Sequence, residues 1–82
     1  MTGFSYVYIL QSEVHPSRHY TGLTEDLRGR LETHNAGRVP HTAKFKPWRL
    51  QTPVAFHDQK RACAFERYLK SSSGRAFARK HL

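Results

Sequence analysis

In the stretch SYVYILQSEVHPSRHYTGLTEDLRGRLETHN, from Ser5 to Asn35, Tyr8 and Tyr20 stand on either side of a polar turn, and Arg30 and His34 follow four residues apart. Far along the chain, Glu66 interrupts an otherwise apolar helical stripe formed by Ala62, Phe65 and Leu69. At about 100° per residue, Glu66 lies some 40° from Ala62 and 60° from Leu69. A carboxylate on an apolar face is costly unless it is paired or holds a metal. Two phenols, a guanidinium, an imidazole and one partly buried carboxylate suit phosphodiester hydrolysis: an activated water, a cation over the phosphate and a metal on the carboxylate. Each residue also has a plainer explanation. Glu66 could form an internal salt bridge, His34 could be a satisfied core histidine, and the tyrosines could be packing residues with wet hydroxyls.

Other chemistries are poorly supplied. The chain has no phosphate-binding loop, no dinucleotide glycine fingerprint and no paired cysteines for zinc. Its one cysteine, Cys63, sits between alanines and reads as small packing. A single cysteine excludes an intrachain disulfide. With no signal-peptide pattern in MTGFSYVYIL, a reducing cytoplasm is the expected location.

The elements that must position these groups follow from pattern. Phe4–Gln11 reads as a strand apolar on both faces, with Tyr6, Tyr8 and Leu10 on one and Val7 and Ile9 on the other, which predicts a central place in a sheet. SEVHPS is a turn, and Arg18–Leu23 returns antiparallel, ending at Gly22. Thr24 is the expected N-cap of a helix with Glu25 and Asp26 in its first turn, running to about Asn35 with Gly37 at its end. Leu27 and Leu31 mark its buried face, and Arg30 and His34 flank that face, whereas Arg28 points elsewhere. Arg38–Pro47 reads as a basic loop holding His41 and Lys44. Trp48–Phe56 is a third strand with Trp48, Leu50, Thr52, Val54 and Phe56 on one face, and Pro53 assigns it to a sheet edge. Asp58 caps a second helix through Lys70, and Ser72 or Ser73 caps a short third helix to Leu82. The order β-β-α-β-α-α describes one α+β domain over residues 1–82, a small three-stranded antiparallel sheet flanked by helices.

Charge bears on partners. There are 14 Lys and Arg against 6 Asp and Glu, a net charge of +8 in 82 residues. Such an excess favours polyanions, because neutralising phosphates releases counterions. No apolar run reaches the roughly 20 residues of a membrane span.

Three segments together, YVYIL, HYTGLTEDLRGRLETHN and AFERYLK, resemble the GIY-YIG nuclease domain, in particular its small stand-alone bacterial members related to the N-terminal nuclease domain of UvrC. The resemblance spans nearly the whole chain in order and spacing. It places Tyr6–Tyr8 at the GIY motif and Tyr20–Gly22 at the YIG motif. Arg30 and His34 fall on the first helix's catalytic positions and Glu66 on the metal-binding position. His41 and Lys44 match a loop that adds polar groups, and with Gly22 they are the expected substrate-binding residues. Tyr6 replaces the first motif's glycine, and the second motif reads YTG. The implied activity is endonucleolytic cleavage of DNA with one divalent metal, Mg²⁺ or Mn²⁺, in a repair or recombination setting, with no obligate protein partner. The rival is a non-catalytic nucleic-acid-binding module on the same scaffold. A small protein-interaction module is a third reading. Glu66 discriminates against the rival, because a pure phosphate binder gains nothing from a buried carboxylate; absence of nucleic-acid binding even at low salt would mark the third.

Overall fold

A computed structural model describes residues 3–82. The elements are β1 (Ser5–Ser12), β2 (His19–Thr24), α1 (Leu27–Asn35), α2 (Pro40–Ala43), β3 (Trp48–Phe56), α3 (Gln59–Leu69) and α4 (Ser72–His81). The expected α+β architecture is present: one antiparallel sheet in the order β2-β1-β3, flanked by helices. β1 is central, as its two apolar faces required, and Pro53 lies on an edge strand. Among the described residues no helix is long and apolar enough to cross a membrane.

Each face of β1 supports its own core. Val7 and Ile9 pack with Ala62 and Leu69 of α3, joined by Leu23, Phe56, Phe65, Ala78 and Leu82. Tyr8 and Leu10 pack with Trp48 on the other face, joined by Tyr20, Leu27, Leu31 and Phe45. The alternation of a strand thus sends odd-numbered residues toward α3 and α4, and even-numbered ones toward α1 and α2.

The single-face reading of β3 is corrected. Thr52 pairs with Ile9, but Leu50 pairs with Leu10, so Gln51 is the extra residue of a β-bulge. A one-residue slip moves every following side chain to the other face. Thr52, Val54 and Phe56 therefore share the face of Val7 and Ile9, whereas Trp48 and Leu50 share that of Tyr8 and Leu10.

Local boundaries differ in physical detail. Asp26, not Thr24, caps α1, accepting the Gly29 amide at 3.1 Å; Thr24 Oγ1 instead accepts the Asp26 amide at 3.1 Å, turning the chain into the helix. The segment read as an unbroken basic loop contains α2, started by Pro40 at its first position. Ser71 rather than Ser72 or Ser73 caps α4, accepting the Gly74 amide at 3.2 Å. α3 ends at Leu69, with Lys70 as its C-cap. Gly22 lies within β2 rather than ending it. Gly37, at φ 77°, follows the α1 C-cap in the left-handed conformation that suits glycine.

Candidate active site

Tyr8 and Gly22 are partners across the β1–β2 ladder. A side chain at position 22 would run into the Tyr8 hydroxyl and ring, so the glycine leaves the space through which the phenol crosses β2. On that face α1 presents Arg30 and His34, one turn apart. Arg30 Nε donates to Tyr8 Oη at 3.3 Å, and Tyr8 Oη lies 3.0 Å from His34 Nε2. His34 Nδ1 lies 2.8 Å from Thr42 Oγ1, which donates to the Val39 carbonyl at 3.2 Å.

The protons can run in one direction along these contacts. With the Thr42 hydroxyl donating to Val39, its oxygen accepts from His34 Nδ1–H. His34 Nε2 is then the bare nitrogen and accepts the Tyr8 O–H. The path runs from Arg30 to Tyr8, His34, Thr42 and the Val39 carbonyl. Its supports are built from backbone: Trp48 Nε1 donates to the Thr42 carbonyl at 2.9 Å. Asn35 clamps the start of β3, accepting the Trp48 amide at 2.6 Å and donating to its carbonyl at 3.0 Å. Tyr20, half-buried on β2, packs its ring 4.9 Å from that of His34 and 6.3 Å from that of Tyr8.

Burial governs the electrostatics. His34 has 0% and Tyr8 1% exposure. Burial, with the nearby Arg30 charge adding to it, holds the His34 imidazole below its usual range and therefore neutral at pH 7. Burial also raises the Tyr8 phenol, outweighing the hydrogen bond from Arg30 that favours its ionised form. The resting phenol is thus protonated, which matches its role as donor to His34. The bond to Tyr8 keeps Arg30 firmly charged. Arg28, two residues away, is exposed and lies outside the network.

Glu66 stands on α3 with its side chain 22% exposed. Lys70 Nζ pairs with its Oε2 at 2.7 Å, one turn on, so the salt-bridge reading of Glu66 is realised. The bond to Glu66 raises the Lys70 ammonium, whose charge in turn favours ionisation of Tyr8. That coupling links the C-terminal end of α3 to the phenol. Among the described residues no three His, Cys, Asp or Glu side chains cluster as a ready metal cage. Glu66 instead offers one hard oxygen donor that already balances a cation. This fits a Mg²⁺-type ion, which keeps several waters and needs only one or two carboxylates plus substrate phosphate.

Of the residues singled out from sequence, Tyr8, Tyr20, Gly22, Arg30 and His34 come together on one face, whereas Glu66 stands on α3 and contacts Lys70. His41 and Lys44 do not join them: both are exposed, and the Lys44 ammonium lies 5.6 Å from the Phe45 ring centroid. The residue of that segment that does join is Thr42, buried with 1% exposure. Nothing in HTAK marks it in advance. Lys70 was also missed, although its i+4 spacing from Glu66 was visible.

Comparison with curated proteins and with solved structures finds no match. The family model described as the GIY-YIG catalytic domain matches residues 4–80, nearly the whole chain, and the protein therefore belongs to the GIY-YIG family, a nuclease-type domain.

Proposed function

We propose that the protein is a metal-dependent endonuclease that hydrolyses DNA phosphodiester bonds. The observation that carries this reading is the continuous hydrogen-bond path from Arg30 through Tyr8 to neutral His34. Tyr8 Oη donates to His34, accepts from Arg30, and keeps capacity to accept from a water. As that water attacks phosphorus, its proton passes to Tyr8 Oη while the phenolic proton moves to His34 Nε2; the P–O bond to the leaving nucleoside oxygen breaks, and that oxygen takes a proton from solvent water. Neither group need ionise in the resting protein, which suits a phenol raised by burial. Arg30 uses Nε on Tyr8 and has its terminal nitrogens left for the phosphate, where negative charge grows in the transition state. Tyr20, the more accessible phenol, orients the water or the phosphate. Gly22 acts by admitting Tyr8. Glu66 would hold the divalent ion, Mg²⁺ or Mn²⁺, which polarises a phosphoryl oxygen when bound.

The excess of cations supports a nucleic-acid substrate. The resemblance to small relatives of the UvrC nuclease domain supports a bacterial protein working in DNA repair or recombination. The lone Cys63 accords with a reducing cytoplasm.

The test is Glu66→Gln, which keeps size and removes the charge. Cleavage of single-stranded, duplex and branched DNA is expected to fall by at least ~100-fold, the scale of a lost electrostatic stabiliser. The circular dichroism spectrum should stay unchanged. Wild-type cleavage by the variant across a Mg²⁺ titration would remove Glu66 from the site. A wild-type protein that binds DNA but never cuts it would favour the binding-module reading.

A further inference from the structure

A groove of about 590 Å³ opens between the β1–β2 hairpin and α4, on the sheet face opposite the Tyr8 network. Ile9, Thr21 and Ala78 help to line it, and its cations are Arg18, Lys70, Arg75 and Arg79. No carboxylate is among the lining residues.

Two features of α4 set this apart from a merely solvated basic face. Arg75 and Arg79 are four apart on one helix, so like charges stack on the same side, an arrangement that weakens a helix. Neither forms an ion pair among the described residues. Arg79, in the last turn, is favoured by the helix dipole, but Arg75 lies near the first turn, where the dipole opposes a cation. No acidic residue occupies that turn to offset it. A polyanion in the groove would reverse both penalties.

The groove also has a defined outlet. Tyr20 and Lys70 line it, and the same two residues adjoin the active site: Tyr20 packs on His34, and Lys70 pairs with Glu66. Because β2 is an edge strand, chain passing around its outer side connects the two faces. We propose that the groove seats one sugar–phosphate strand of the nucleic acid, with Arg75 and Arg79 on successive phosphates, and leads it past Tyr20 and Lys70 to the Tyr8–Arg30 site. This rests on the nuclease reading. A cavity of this size takes a short run of one strand, not a duplex.

The experiment separates the two ideas by measuring binding without cleavage. A fluorescein-labelled single-stranded deoxyoligonucleotide is titrated with protein in EDTA across a series of KCl concentrations. Each phosphate contact on single strands contributes ~0.7 to the slope of log K against log salt. Arg75→Ala/Arg79→Ala is expected to lower that slope by about 1.4 and to weaken binding at low salt by roughly tenfold. Lys60→Ala/Arg61→Ala, at the opposite end of α3 and outside the groove, should leave both unchanged. An unchanged slope in the α4 variant, or an equal loss in the α3 variant, overturns the groove. Cleavage by the wild-type protein in Mg²⁺ then still judges the nuclease reading on its own. A wild-type protein that binds no oligonucleotide at low salt overturns the groove as well.

Discussion

His34 shows most directly how packing sets chemistry at a single residue. Its ring is fully enclosed, and both nitrogens are committed, to Tyr8 and to Thr42. Burial and the Arg30 charge depress its proton affinity in the folded chain, whereas in the unfolded chain it titrates near 6.5. The sign follows. Above about pH 6.5 the ring is neutral in both states and pH has no effect through it; as pH falls below that value, the unfolded state takes up the proton first, and stability is lost. One such proton contributes at most about 1.4 kcal/mol per pH unit. Urea midpoints measured between neutral and mildly acid pH should fall in the wild-type protein and fall less steeply in His34→Gln, whatever that variant's absolute stability. Equal slopes would mean that another group carries the acid sensitivity. Arg30 and His34 were legible as a pair because helical spacing alone stacks them beside Leu27 and Leu31. Thr42 was not legible: its role depends on a tertiary contact eight residues from His34, made by a four-residue helix that periodicity cannot detect.

At the scale of elements, the corner between α3 and α4 decides whether Lys70 and the α4 arginines can share one groove. Gly74 is buried in the first turn of α4, and a Cβ there would collide with the Tyr68 backbone carbonyl. In an ordinary helix, Gly→Ala stabilises by about 0.8–1.0 kcal/mol. Here the neighbour is main chain and cannot swing aside, so Gly74→Ala is expected to cost ~1–3 kcal/mol, the range for overpacking. In a chain of this size that lowers the melting temperature by at least several degrees. A rise in melting temperature would show that the corner is looser than described. The same corner shows what pattern reading conveys: a serine cap at Ser72 or Ser73 correctly announced a helix there, but the cap fell on Ser71. The β3 alternation was read as if the strand were regular. Side-chain periodicity carries no mark of a bulge, so the face of Trp48 was assigned wrongly although the strand itself was right.

Over the whole molecule, one strand serves two cores. Val7 and Ile9 hold α3 and α4 on one face, while Tyr8 and Leu10 hold α1 and Trp48 on the other. The Tyr8–His34 hydrogen-bond network uses a residue of the second core, and the basic groove borders the first. The overall excess of cations was plain from composition, but its concentration between α4 and the hairpin required the fold. This division gives the bulge at Gln51 a meaning for how the chain can change in length. Because Gln51 stands outside the ladder, Phe56 reaches one core and Trp48 the other. Deleting it would leave Leu50 opposite Leu10 and Thr52 opposite Ile9 as consecutive pairs of a regular ladder, so Trp48 and Leu50 would stay beside Tyr8 with the Asn35 and Thr42 contacts that Trp48 anchors. Such a variant should keep its near-ultraviolet tryptophan signal and its cooperative melt; loss of either would show that the bulge itself is needed to seat Trp48. A glycine inserted after Pro16, in a turn exposed from Glu13 to Arg18, should keep both. Descendants of this sequence are therefore free to lengthen at the hairpin tip and to shorten at Gln51, two places where residue count does not decide which core a side chain reaches.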